Sequence, residues 1–170
     1  MKKLIAIALV IVTCCACIAG CGGDKYADLK LDVNGFGRNL LGSSSFQYAP
    51  EALDNPEFAA ETLKIDTADL NTADGKPELF YSVSASSPEA VFVIGAKDAA
   101  AAKKISDGPI KDWIKVNRDG YASYGPEQVP KLDSAINRVA GRYVIVVVSS
   151  DNSAAKTKLT SLLDTALSLS

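Results

Sequence analysis

Histidine is absent from all 170 residues. The chain therefore lacks the commonest general base, a usual metal ligand and any Ser/His or Cys/His dyad. Chemistry would have to run on carboxylates, lysine, tyrosine or serine. Cysteine is confined to Cys14, Cys15, Cys17 and Cys21 and missing from everything after them, so no disulfide can staple the main body. A clustered basic face is also lacking: net charge is −2 and the lysines are interleaved with acids, which argues against a nucleic-acid partner, because neutralising phosphates needs such a face.

What is present is ordinary globular composition, 48% apolar, at a length that predicts one domain able to hold a core without staples. The N-terminus departs from it. Met1-Lys2-Lys3 feeds the apolar run Leu4–Gly20, the layout of a secretory leader. The run is also just long enough for a retained membrane helix. Ile18-Ala19-Gly20-Cys21 resembles the bacterial lipobox, in which small residues admit a peptidase and the cysteine thiol takes a diacylglyceryl group as a thioether. The reading is a signal peptide over 1–20, a lipidated tether over 21–30 and one domain over 31–170. Lys2 and Lys3 would leave with the leader, taking the charge to −4, with 16 basic against 20 acidic residues. A metal or redox cluster is disfavoured, because C-C-x-C-x3-C lacks the paired C-x2-C of zinc and iron–sulfur sites. Cys14, Cys15 and Cys17 read as apolar filler of the leader.

Along the domain, Leu29, Val33, Phe36 and Leu40 predict a helix, with Gly35 and Gly37 each costing it about 1 kcal/mol against alanine. Asn55-Pro56-Glu57 starts a short helix ending near Leu63. Two strands, ELFYSVSA and AVFVIGA, lead into a helix capped by Asp98, with a kink or break expected at Asp107-Gly108-Pro109 and a restart presenting Ile110, Trp113, Ile114, Asn117 and Tyr121. A short helix follows at Pro126. INRVA and RYVIVVVSS pair through Ala140-Gly141, and Asp151 caps a last helix with Ala155, Leu159, Leu162, Leu163 and Ala166 on one face. The fold class is α+β: a mainly antiparallel sheet of about four strands with helices on one face, plus an N-terminal helix. Strand, strand, helix occurs twice. Sliding Val91–Lys103 onto Val144–Lys156 gives a weak match, expected equally of any buried strand leading into a capped helix.

The motifs that could carry chemistry are thin. Asp66–Gly75 is acidic and ends in glycine, but counting back from Gly75 puts Leu70 where a calcium loop needs its first oxygen ligand. Ser150-Asp151-Asn152, Ser153-x-x-Lys156 and Lys156-Thr157 carry elements of penicillin-binding enzymes, yet overlap at one helix start instead of converging from separate segments. Glu57 and Glu61 read as solvated surface. Tyr121, Tyr124, Pro126, Glu127 and Tyr143 form the candidate interaction surface, with the edge of a core as the competing reading.

Tyr124, Pro126, Glu127, Gln128, Lys131 and Leu132, followed by Gly141, Tyr143 and Val144, resemble the C-terminal block of a family of small lipoproteins from Gram-positive bacteria that carries a domain of unknown function. The likeness covers most of Leu79–Leu162 and, loosely, the helix near Asp32 to Leu41. In that family an uninterrupted charged helix precedes the tyrosine, where this chain inserts Gly108-Pro109. The resemblance implies a lipoprotein and transfers no catalytic residue. The expectation is a non-enzymatic binding or interaction module of the cell envelope, held on the extracytoplasmic face of the membrane through Cys21. It would need no cofactor and no metal, and would meet a protein or small-molecule partner. The alternative is a small envelope hydrolase using a Ser/Lys or carboxylate pair.

Overall fold

The computed structural model describes residues 24–52, 56–82 and 84–170. Cys21, the rest of the leader and Asn55 lie outside them. Helix α1 is Val33–Ser43, strand β1 Pro50–Ala52, α2 Pro56–Leu63, β2 Glu78–Ser82, β3 Ala90–Gly95, α3 Ala99–Ile105, α4 Lys111–Tyr124, α5 Val129–Asp133, β4 Ile136–Ala140, β5 Tyr143–Val148 and α6 Asn152–Ser168. One antiparallel sheet runs β1-β2-β3-β5-β4. The α+β class holds, with a fifth strand: Pro50-Glu51-Ala52 pairs with β2 at the edge, where a proline need not donate to a ladder. Three residues without apolar alternation carry no strand signal.

The expected placement of helices on one face is corrected. Phe80, Val91, Val93, Tyr143, Ile145 and Val147 pack under α1 and α6 through Val33, Phe36, Leu40, Ala155, Leu159 and Leu163. Leu79, Phe92, Ile94, Val144 and Val146 pack on the opposite side against Leu63, Ala101, Ala102, Ile105 and Ile110. Strands β3 and β5 are buried at every position, which their uninterrupted apolar runs AVFVIG and YVIVVV require: a strand wet on one face alternates. Full burial of Phe92 alone contributes roughly 1.5–3 kcal/mol.

The two strand-strand-helix units are not rotational copies. A two-fold axis exchanging β3 with β5 would keep their helices on one face, but α3 and α6 lie on opposite faces. The sequence match sets Val91 against Val144, whose side chains point to opposite sides of the sheet.

The expected tether over 21–30 is also corrected: from Asp24 onward it is part of the domain. Tyr26, Leu29 and Leu31 are buried with α1, α6 and β5, so Leu29 belongs to an irregular segment and the helix begins only at Val33. Gly37 in α1 admits the sheet closely, since a Cβ there would meet the Phe80 ring at 3.2 Å and the Glu78 side chain at 3.3 Å. That contact explains a residue the helix propensity argues against.

The interruption expected at Asp107-Gly108-Pro109 takes the form of a change of helix type and not of a break in the chain of turns. Ser106–Ile110 forms one π turn joining α3 to α4. A wider turn moves preceding carbonyls away from the pyrrolidine ring, whose clash would break an α-helix. The Ser106 carbonyl accepts from Asn137 Nδ2 at 3.0 Å, and Ser106 Oγ donates to Asn137 Oδ1 at 2.9 Å. Asp107 meets Lys103 at 2.5 Å and Lys111 at 2.7 Å across the same turn.

Candidate functional site

Strand β5 separates the predicted surface residues. Tyr143, at its start, is wholly buried: the Leu31 amide donates to its oxygen at 3.0 Å and its hydroxyl donates to Asp74 at 2.8 Å. Burial pushes this phenol up from its ordinary pKa. Tyr121 packs at the far end of β5 with Leu132 and Val148, and its hydroxyl donates to the Ala85 carbonyl at 3.1 Å. Burial pushes it up to about 12. Tyr143 is therefore not part of a surface, and Tyr121 is its floor. Tyr124 is 66% exposed and lies against Tyr121 with ring centroids 4.9 Å apart; Pro126 and Glu127 are exposed beside it in sequence. The surviving face is Tyr124, Pro126 and Glu127. Val116, earlier in α4, is also exposed.

At that end of the sheet sits a buried carboxylate that the sequence reading missed. Glu89 precedes β3 and its side chain is fully buried. Its Oε1 accepts from Ser150 Oγ at 2.6 Å, Lys131 Nζ at 3.0 Å and the Gln47 amide at 3.0 Å; Oε2 accepts from the Gln47 and Tyr48 amides at 2.9 and 3.1 Å. Burial pushes this carboxyl up, but those donors together outweigh it and hold it below the usual glutamate range. Asn152 continues the network, accepting from the Ser149 amide and donating to the Lys131 carbonyl, both at 2.8 Å. An ionised carboxylate with its lone pairs engaged is a poor proton acceptor. What it does is clamp the chain before β1, the start of β3, α5 and the entry to α6 at one point. The one available signal was an acid placed directly before an uninterrupted apolar strand.

Ser150 and Asn152 thus serve that network, and Asp151 caps α6 by accepting from the Ala154 amide at 2.9 Å. Ser153 and Lys156 are exposed on the first turns of α6, beside a shallow groove shared with Asn137 and Arg138. No buried acid or base stands with them among the groove's residues. Glu61 is exposed; the Glu57 side chain lies outside the described residues. The acids of Asp66–Gly75 are committed elsewhere. Asp66 accepts from the Ala68 amide, Asp69 takes Lys104 at 2.6 Å and Lys97 at 2.8 Å, and Asp74 takes Tyr143 and Arg142. Lys104 and Lys97 hold Asp69 below the usual carboxylate range. Among the described residues, no group of three or more acidic side chains is arranged to hold a metal ion.

The opposite end of the sheet holds the first described residues. Asp24 accepts from the Gly141 amide at 2.6 Å, and the buried Tyr26 donates its hydroxyl to Asp164 at 2.6 Å, where Lys25 also pairs at 2.7 Å. Gly141 has φ +56°, and a Cβ there would stand 2.3 Å from the Tyr26 carbonyl oxygen. Only glycine fits that turn. Among the described residues no helix is long and apolar enough to cross a membrane. No protein-family model, curated protein or solved structure matches the chain.

Proposed function

We propose that the protein is a lipid-anchored component of the cell envelope, acylated on Cys21 and held on the extracytoplasmic face of the membrane. In this reading it presents a non-enzymatic interaction face built on Tyr124, Pro126 and Glu127. The observation that carries the proposal is the agreement of three sequence features at one place: the Lys2-Lys3 start, the apolar run to Gly20 and the Ile18-Ala19-Gly20-Cys21 motif. Two acyl chains at about 0.8 kcal/mol per buried methylene would hold such a domain durably. The likeness of the Tyr124–Val144 block to small Gram-positive lipoproteins points the same way. An exposed tyrosine seated on a buried one is a rigid amphipathic contact of the kind interfaces use. The hydrolase alternative receives no support from the exposed Ser153 and Lys156.

Mass spectrometry of the mature N-terminus from the membrane fraction tests the anchor. A diacylglyceryl thioether on Cys21 is expected; a retained Met1 or an unmodified Cys21 overturns it. Crosslinking in intact cells from position 127 should capture a neighbour that is lost with Tyr124→Ala.

A further inference from the structure

Only Gly22 and Gly23 stand between Cys21 and Asp24, the first described residue, which is bonded to Gly141. Three residue steps span at most about 10 Å. A tether that short lets a bilayer-bound cysteine place only one end of the domain against the lipid. That end is also pinned: Asp24 is bound to the β4–β5 turn at Gly141, and Lys25 and Tyr26 are bound to Asp164 of α6.

Resting on the acylation of Cys21, we infer that the surface formed by Lys30, the β4–β5 turn at Arg142 and the C-terminal turn of α6 at Leu169 lies directly on the phospholipid headgroups. Leu169 is 82% exposed and borders a groove of ≈ 420 Å³ between α1 and α6 that Lys30, Phe36, Leu162 and Ala166 also line. A second groove continues it from Lys30 past Leu29 to Arg142. The Lys30 amide and the Ser170 hydroxyl, 3.4 Å apart, join the two borders. The patch mixes apolar edges with charge of both signs, Lys30 beside Asp28 and Asp32 and Arg142 paired with Asp74, so the short tether and the exposed Leu169 carry the placement rather than a cationic field. Asp24 and Asp164, two of the acids at this end, are turned to Gly141 and to Lys25 and Tyr26, while Asp28 and Asp32 are exposed along the grooves. Tyr121, beneath Tyr124, packs at the other end of β5, whose five steps span about 17 Å, so the tyrosine face is held off the membrane.

The acylated protein is reconstituted in vesicles of phosphatidylcholine and phosphatidylglycerol carrying headgroup nitroxides. A fluorophore is placed through Leu169→Cys, Lys30→Cys or Tyr124→Cys. All three sites are exposed, and acylation occupies the one thiol left by leader removal. Quenching several-fold stronger at 169 and 30 than at 124 is expected. Equal quenching at the three positions, or the strongest at 124, in protein whose Cys21 is shown by mass to be acylated, overturns the orientation and leaves the anchor standing. Labelling of Cys21 itself overturns the anchor.

Discussion

The Glu89 carboxylate and the Lys131 ammonium meet at 3.0 Å with the acid wholly buried and the lysine side chain 16% exposed. Removing one partner of such a pair strands the other, at a cost of about 3–5 kcal/mol. Lys131→Met is therefore expected to lower stability by that order, and Glu89→Gln combined with Lys131→Met to lower it by less than Lys131→Met alone. Urea unfolding followed through Trp113, the sole tryptophan, measures both. A change within about 0.5 kcal/mol for Lys131→Met, the range of ordinary surface substitutions, would count against the clamp.

The same carboxylate sets a pH dependence. Its folded-state pKa lies below its ordinary value of 4.5, so its stabilisation is fully present above that value and disappears as pH falls through the lower folded-state pKa. Asp69, Asp119 and Asp164 are likewise held down, by Lys104 and Lys97, Lys115, and Lys25 and Tyr26, so the whole protein should lose stability in acid. The specific expectation is a difference: melting curves of the parent and Glu89→Gln should converge as pH drops below 4.5. Parallel curves down to the acid limit would contradict it.

Lys64 ends α2 with φ +54°, the left-handed conformation that glycine usually supplies. Around it the Ile65 amide reaches the Ala60 carbonyl at 2.8 Å and the Lys64 amide reaches Glu61 at 3.1 Å, the paired bonds of a helix stop. Lys64→Gly is expected to raise stability by about 1 kcal/mol, because a side chain in this region costs roughly that much. An unchanged or lower urea midpoint would refute the strain.

Replacing Ser153 and Lys156 together by alanine should leave stability and every cellular phenotype intact, since both side chains are exposed on α6. A hydrolytic activity measured in the folded parent and missing from the double variant would instead favour the hydrolase.

Elements whose signals are local were legible. The caps Asp98 and Asp151 accept from Ala101 and Ala154, the Gly141 turn has its positive φ, and Pro56 opens α2. That helices cover both faces was recoverable too, though not which helix covers which, because a strand with no polar alternation must be covered twice; the runs AVFVIG and YVIVVV carried that message. The Glu89 network was not legible, since its donors Gln47, Tyr48, Lys131 and Ser150 converge from distant segments with no spacing to link them. Tyr143 was misplaced for a related reason. An aromatic with a polar tip reads the same at a rim and in a core until Leu31 and Asp74 are seen to occupy its hydroxyl.

Ile105 and Ile110 face the same core across five positions, where an α-helix would bring residues four apart into line. The π turn therefore stores one surplus residue without changing the phase of the rod on either side. Shortening the chain there, by deleting Gly108, should leave Trp113 and Ile114 on their present face in a straight α-helix. Deleting a residue beyond the turn, such as Lys115, would swing the rest of α4 by about 100° and carry Tyr121 off its floor. Length variation is thus absorbed at one place in this helix and forbidden a few residues later.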